Sequence, residues 1–238
     1  MTAVSSSKVS FSEYLGRALR LYADNFSVLM NFSFACMAPT IFKSLLDATD
    51  ETGVSLIGVL LSPVIFCIYT FFLMCLTYMT SSLAMNRDLT ARDAVTYVRT
   101  KFFRGLGGYL LLSVGVIAGL FLLVLPGIYC FTVFYFFIFA VLFEEKGVWV
   151  AFKRSDELVR FRFWRVLAAH GWAFFLSVLV MLPFFVGMKM MGLSSGITTV
   201  IVGVLVAIVM PVLAGFYYFI YADLKVEHDG VMNISVHS

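Results

Sequence analysis

The chain has little charge. Asp, Glu, Lys and Arg together make up 13% of its 238 residues, whereas they make up about 25% of a typical soluble domain. Hydrophobic residues make up 61% of the chain, and the mean hydropathy is +0.97. A water-soluble surface cannot be built from the few polar residues that remain. The composition therefore excludes a soluble protein and predicts a polytopic integral membrane protein.

The sequence also lacks the residue patterns that metal sites and most hydrolytic active sites require. It has 3 His and 4 Cys, and no two cysteines share metal-ligand spacing with a histidine. The HExxH pattern, the phosphate-binding GxxxxGK[ST] pattern and paired carboxylates within an apolar segment are missing. His170 lies within a predicted span, and we interpret it as a packing or interfacial residue. We expect no enzyme activity, no catalytic residues, no metal and no cofactor.

Six apolar segments are each long enough to cross a hydrocarbon core about 30 Å thick. Their apolar runs are continuous, which excludes the alternating strands of a transmembrane barrel. The predicted fold is therefore all-α, with a tight turn at Pro126-Gly127 between the third and fourth spans. The predicted spans cover about residues 26–46, 54–85, 105–125, 128–143, 164–188 and 197–222.

Basic residues are divided unevenly between the two predicted sides of the membrane. Fifteen of the 17 Lys and Arg lie before the first span, in the second-to-third and fourth-to-fifth connections, or after the last span. Only Lys43 and Lys189 fall on the other side. Because cytoplasmic loops of membrane proteins carry an excess of Lys and Arg, we predict that both ends of this sequence lie in the cytoplasm.

Three cytoplasmic segments have the pattern of an amphipathic surface helix that leads directly into a span. At each junction an aromatic residue (Phe26, Phe103 or Trp164) is followed three positions later by Leu. This similarity predicts a single membrane domain with a threefold internal repeat, in units of about 10–85, 90–143 and 147–222, and a short cytoplasmic tail, 223–238. The alternative is that any surface helix that enters a bilayer has this pattern.

Basic residues on these helices favour contact with an anionic surface. Each cation near an anionic leaflet contributes about 1 kcal/mol of attraction, so we expect contact with anionic lipid headgroups or with a membrane protein partner. The alternative is that topology alone accounts for these charges. The candidates for contact with lipid phosphate lie in the fourth-to-fifth connection and are Lys153, Arg154, Arg160, Arg162 and Arg165.

A more specific pattern begins at residue 125. It comprises a Pro-Gly pair, an apolar span that ends in an acidic residue, a Gly, an Ala, a basic-Ser pair and an aromatic residue where the next span begins. These positions are Pro126, Gly127, Glu144, Gly147, Ala151, Arg154, Ser155 and Trp164.

This segment resembles the YciC-like family of uncharacterised bacterial inner-membrane proteins, which is related to the membrane domain fused to some glycerophosphodiester phosphodiesterases. The resemblance implies a multi-pass protein of the bacterial cytoplasmic membrane that lies close to lipid, and it implies no activity. From the residues themselves we predict that Glu144, Arg154 and Ser155 form a polar contact that fixes the third surface helix to the bundle.

These features predict a non-enzymatic integral membrane protein with an organising or accessory role. Its basic cytoplasmic helices would contact anionic lipid or a membrane partner. The alternative is a carrier or channel for a small or lipid-like solute, because Pro39, Pro63 and Pro211 lie within spans and carriers often contain broken helices. We expect no contact with nucleic acid, and the sequence does not fix an oligomeric state.

Overall fold

The computed structural model describes residues 10–48 and 55–236. All regular secondary structure in these two ranges is helical, which confirms the all-α fold. The helices are α1 (Phe11–Asp24), α2 (Phe26–Ala48), α3 (Leu56–Ala84), α4 (Ala91–Leu122), α5 (Val124–Phe134), α6 (Phe137–Phe143), α7 (Val148–Val159), α8 (Phe163–Met190) and α9 (Ser195–Val236), with a 3₁₀ turn (Arg160–Arg162) between α7 and α8.

Six stretches of the described chain are long and apolar enough to cross a membrane, as expected of a multi-pass membrane protein. Their number equals the number of spans predicted from the sequence. They are Phe26–Asp47, Leu56–Ala84, Ala91–Leu122, Val124–Phe143, Val148–Met190 and Gly196–Gly230.

Helix α4 is continuous where the sequence predicted two elements. The predicted surface helix, 90–104, and the predicted span as far as Leu122 form one helix without a break. It begins at a capping box in which the Thr90 hydroxyl accepts from the Asp93 amide and the Asp93 carboxylate accepts from the Thr90 amide. Gly108 does not interrupt the helix but makes room for Phe137, because a Cβ at this position would lie 2.1 Å from a ring carbon of Phe137.

The connection between α4 and α5 lies earlier than predicted. Leu123 is the extended residue between the two helices, with φ −166° and ψ 144°. Pro126 is in the first turn of α5, where its missing amide hydrogen leaves no helical hydrogen bond unmade. The prediction of a turn at Pro126-Gly127 is therefore wrong. Gly127 instead contacts Gly119: a Cβ on Gly119 would lie 2.7 Å from the Gly127 nitrogen.

The fourth span is not one helix. α5 ends at Phe134 and α6 begins at Phe137, so that Tyr135 and Phe136 separate them. The sequence predicted an uninterrupted span over 128–143, and its continuous apolar run contains no Pro or Gly that indicates this break. The break leaves the last carbonyl groups of α5 without the regular intrahelical partners.

Helix α9 extends well beyond the predicted end of the last span. The sequence predicted a short tail from residue 223, and residues 223–236 continue α9 as a helix to Val236. This extension carries three carboxylates, Asp223, Glu227 and Asp229, which form ion pairs with arginines of α7, the 3₁₀ turn and α8. These contacts give the added helical turns a packing partner, which a free tail lacks.

One end of the bundle collects α1, α7, the 3₁₀ turn, the first turns of α4 and α8, the last turns of α3, α6 and α9, and the connections before α4 and α7. We call it the basic end. It is joined by hydrogen bonds from Tyr14 to Asp223 (2.8 Å), from Tyr97 to the Leu142 carbonyl (2.6 Å) and from Arg154 to Asp229 (2.7 Å).

The three junctions that share a sequence pattern differ in local structure. The chain turns at Asn25 before Phe26, runs through Phe103 inside one helix, and passes through a 3₁₀ turn before Trp164. All three aromatic side chains are exposed. The threefold repeat therefore remains a prediction, whereas exposed aromatic side chains are what the headgroup region favours.

Candidate functional site

Arg154 connects three elements at the basic end. Its Nη2 donates to Asp229 Oδ1 at 2.7 Å, and its Nε lies 3.2 Å from Glu144 Oε2. Nη1 lies 3.2 Å from Nδ1 of His228. The Arg154 side chain is only 10% exposed. The predicted contact between Glu144 and Arg154 is present, and it leaves little of this arginine available to lipid phosphate.

Glu144 gathers donors from several elements around its carboxylate. Tyr221 donates to it at 2.7 Å, and Lys146 and Lys225 form ion pairs with it at 2.9 and 3.5 Å. Partial burial raises the pKa of Glu144, but the hydrogen bonds from Lys146 and Tyr221 and the charges of Arg154 and Lys225 outweigh burial and lower the pKa to about 2. Glu144 is therefore ionised at neutral pH and fully engaged within the protein.

Ser155 donates a hydrogen bond to a backbone carbonyl beside the break in the fourth span. Its buried hydroxyl donates to the carbonyl oxygen of Val133 at 2.6 Å. Val133 belongs to the last turn of α5, where carbonyl groups lack intrahelical partners. Ser155 therefore holds α7 through a backbone carbonyl, and its hydroxyl does not bond Glu144 or Arg154.

Arg165 forms a second cluster at the basic end, between α1, α8 and α9. Its Nη2 donates to Asp223 at 2.6 Å and to the Tyr14 hydroxyl at 2.8 Å, and its Nη1 lies 3.1 Å from Glu227. Arg162 also pairs with Glu227. Both arginines were predicted to contact lipid phosphate, and both bind carboxylates of α9 instead. The sequence could not reveal these partners, because they lie about 60 positions further along the chain.

Several of the remaining cations of the basic end are exposed and unpaired, whereas Arg17 pairs with Glu13 and Lys101 with Glu145. Lys153 and Arg160 were predicted lipid contacts, and neither forms an ion pair within the described residues. Arg104 donates only to the carbonyl of Glu145, at 3.4 Å. Other exposed arginines without a carboxylate partner in the described part of the chain are Arg20, Arg87, Arg92 and Arg99.

The other motif residues that the sequence singled out have structural positions. Gly147 is the N-cap of α7. Ala151 is completely buried where α7 meets the bundle, whereas Trp164 is exposed at the beginning of α8. These residues help place α7 and leave the Trp164 ring on the surface.

A groove of about 520 Å³ lies between α4, α5 and α7. Its trough is apolar, and Lys153 and Asp156 of α7 are the charged residues that line it. The sequence does not reveal this groove, because its walls come from three separate helices. The lining residues are Leu111, Leu112, Val114, Gly115, Ala118, Cys130, Phe134, Trp149, Phe152, Lys153 and Asp156.

A second cavity, of about 510 Å³, opens at the basic end. Four tyrosines line it together with Arg87, Glu145 and Lys225. Lys225 is shared with Glu144, and Glu145 pairs with Lys101 at 3.1 Å. Arg87 is therefore the lining cation that keeps its charge uncompensated by a carboxylate of the described chain. The tyrosines are Tyr78, Tyr97, Tyr218 and Tyr221.

His170 is buried among aromatic rings next to the break in the fourth span. Its Nδ1 lies 2.9 Å from the Tyr217 hydroxyl, and its ring centroid lies 4.9 Å from that of Phe131 and 5.0 Å from that of Tyr135. Its Nε2 is buried without a hydrogen-bond partner. Among the described residues no three His, Cys, Asp or Glu side chains are placed to hold a metal ion.

No protein-family model, curated protein or solved structure matches the chain. The resemblance to the YciC-like family therefore remains an expectation from the quoted motif.

Proposed function

We propose that this chain is a non-enzymatic integral membrane protein that binds anionic lipid through its basic end, in an organising or accessory role. The observation that supports this most directly is the division of the cations. Arg154, Arg162 and Arg165 are neutralised by carboxylates within the protein. Several exposed arginines on the outer surface of the basic end have no such partners among the described residues, whereas Arg17 pairs with Glu13.

The unpaired cations are numerous enough to matter energetically. Each one near an anionic leaflet contributes about 1 kcal/mol, and the attraction falls off within about 10 Å at 0.1 M salt. Four of them, Arg20, Arg92, Arg99 and Arg160, lie on three different elements. A surface of this kind favours an extended anionic layer over a single small anion.

The location follows from the same charges. By the positive-inside rule we propose that the basic end faces the cytoplasm and that both ends of this sequence lie on that side. The bacterial inner membrane is what the resemblance to the YciC-like family implies. α1 has the character of an amphipathic surface helix, because Tyr14 and Ala18 are buried whereas Arg17 and Arg20 are exposed.

Lipid enrichment tests this function. The purified protein is reconstituted in mixed phosphatidylcholine and phosphatidylglycerol, and the lipids it retains on extraction in mild detergent are quantified. Wild type is expected to enrich phosphatidylglycerol, and 0.5 M salt is expected to reduce this enrichment.

A quadruple Arg→Gln variant at 20, 92, 99 and 160 loses the enrichment, whereas the matched Arg→Lys variant keeps it. Equal enrichment in all three proteins would refute lipid binding by the basic end. If wild type retains a protein partner and the Gln variant does not, the basic end binds that protein and not lipid.

One observation favours a carrier for a small or lipid-like solute as the second candidate. The fourth span is broken at Tyr135 and Phe136, and the buried Nε2 of His170 has no hydrogen-bond partner beside this break. Broken helices with unpaired polar groups are typical of solute sites in carriers. Solute flux into proteoliposomes that His170→Ala abolishes and Ser177→Ala preserves would favour this function over lipid binding.

A further inference from the structure

The groove between α4, α5 and α7 has an apolar floor and a charged mouth. One face of α7 supplies the mouth, because positions 149, 152, 153 and 156 recur at helical spacing. Trp149 is 77% exposed and makes no ring contact or hydrogen bond within the described residues. A large aromatic side chain left exposed at the end of a spanning surface suits the headgroup region of a bilayer.

The two charges at the mouth are opposite and unpaired. Lys153 and Asp156 are three positions apart on α7, and neither forms an ion pair or a side-chain hydrogen bond with any part of the chain that the structure describes. Both face the same groove. A ligand that carries one negative and one positive group would satisfy both side chains, whereas a purely anionic headgroup would meet the repulsion of Asp156.

The floor of the groove accepts an apolar chain. It is lined by helices that are long and apolar enough to cross a membrane, and Gly115 leaves it open, since a Cβ there would meet no atom within 4 Å. The groove lies on the basic-end side of the backbone contact between Gly119 of α4 and Gly127 of α5. An acyl chain in this groove would therefore lie along the spanning surface, with its headgroup at α7.

We infer that this groove is a binding site for one zwitterionic aminophospholipid of the phosphatidylethanolamine type. Lys153 binds the lipid phosphate, Asp156 binds the primary ammonium, and an acyl chain fills the apolar trough beneath Trp149. The site is separate from the proposed contact of the basic end with anionic lipid. It selects a different headgroup and depends on different residues.

The experiment uses the full chain in nanodiscs that contain equal amounts of phosphatidylethanolamine and phosphatidylglycerol with identical acyl chains. Retained lipid is counted by native mass spectrometry after transfer to mild detergent. Wild type is expected to retain one phosphatidylethanolamine in preference to phosphatidylglycerol by about threefold, the size of one partly exposed ion pair. Equal retention of the two lipids would overturn the inference.

Three variants separate the parts of the site. Asp156→Asn removes the preference for phosphatidylethanolamine, while Asp88→Asn, at an exposed aspartate outside the groove, preserves it. Lys153→Gln lowers retention of both lipids, while Arg99→Gln leaves the retained phosphatidylethanolamine unchanged. Gly115→Leu fills the groove and abolishes retention, while Gly187→Leu, at another glycine with open space around its Cβ position, does not. Unchanged preference in Asp156→Asn, or unchanged retention in a folded Gly115→Leu protein, would refute the site.

The outcomes are distinguishable from failure of the proposed function. The quadruple Arg→Gln variant changes the enrichment of phosphatidylglycerol around the protein and leaves the single phosphatidylethanolamine in place. Loss of the single lipid in that variant would show that the groove does not act independently and would contradict the inference.

Discussion

The hydroxyl of Ser155 donates to the carbonyl oxygen of Val133 at 2.6 Å, in the interior of the protein. The two residues belong to α7 and α5, and Val133 lies in the last turn before the fourth span is interrupted. This hydrogen bond therefore stabilises the broken fourth span through a residue of α7, a helix that lies at the basic end. It links the conformation of the membrane-spanning region to the position of α7.

Ser155→Ala is expected to lower the free energy of unfolding by about 1–3 kcal/mol, because it leaves a buried carbonyl without a donor. Unfolding in a detergent titration measures the effect. Ser113→Ala is the control, because Ser113 is exposed and donates only within its own helix, to the Tyr109 carbonyl. Equal stability of the two variants would mean that the Ser155 hydrogen bond does not support the break.

Glu144→Gln is expected to destabilise the protein at neutral pH and to remove a pH dependence. The folded-state pKa of Glu144 is lowered from 4.5 to about 2, so the stabilisation by its charge is complete above the unfolded pKa and is lost as the pH falls from about 4.5 towards 2. The contribution is at most about 3 kcal/mol. The difference in unfolding free energy between wild type and Glu144→Gln should shrink over that pH range. A difference that is constant with pH, or absent at pH 7, would contradict the predicted role of Glu144.

Arg165 and Asp223 are expected to be energetically coupled. Arg165→Gln leaves two partly buried carboxylates without their cation and should cost about 1–2 kcal/mol. A double-mutant cycle with Asp223→Asn should give a coupling energy of at least about 0.5 kcal/mol. The control cycle is the exposed Glu13–Arg17 pair, for which about 0.3–0.5 kcal/mol is expected. Coupling at Arg165 no larger than in this control would indicate that α9 is not held by these charges.

Gly119→Ala is expected to destabilise the α4–α5 hairpin by about 1–3 kcal/mol, because the added Cβ would lie 2.7 Å from the Gly127 nitrogen and the backbones would have to separate. Gly115→Ala, one turn away in α4, meets no atom within 4 Å and should cost nothing. Thermal unfolding of the two variants in detergent checks the difference. Similar melting temperatures would contradict the close backbone contact.

The sequence predicted the six spans because length and hydropathy are local properties. It did not predict the break at Tyr135 and Phe136, since no Pro or Gly accompanies it. The sequence also did not predict that α4 is one continuous helix. The aromatic-Leu pattern at Phe103 predicted a junction between a surface helix and a span, but Gly105 and Gly108 lie inside one helix, against Met74 and Phe137.

The site was predictable only where its residues are neighbours in sequence. The Glu144–Arg154 contact was found because ten residues separate the two and a short connection brings them together. The α9 carboxylates that bind Arg154, Arg162 and Arg165 were missed, because they lie beyond residue 222, where the falling hydropathy suggested a tail. Two of the five predicted lipid contacts, Lys153 and Arg160, remain available to lipid.

The proposed contact with anionic lipid requires the basic end to face the cytoplasm, and measuring its orientation is the most direct test of this proposal. Single cysteines are introduced as Arg99→Cys at the basic end and Ser194→Cys at the opposite end, after the four native cysteines are replaced by alanine. A membrane-impermeant thiol reagent should label Arg99→Cys in inverted inner-membrane vesicles and not in spheroplasts. It should label Ser194→Cys in spheroplasts and not in inverted vesicles. Labelling of Arg99→Cys in spheroplasts would place the unpaired cations outside the cell and contradict the cytoplasmic orientation of the basic end.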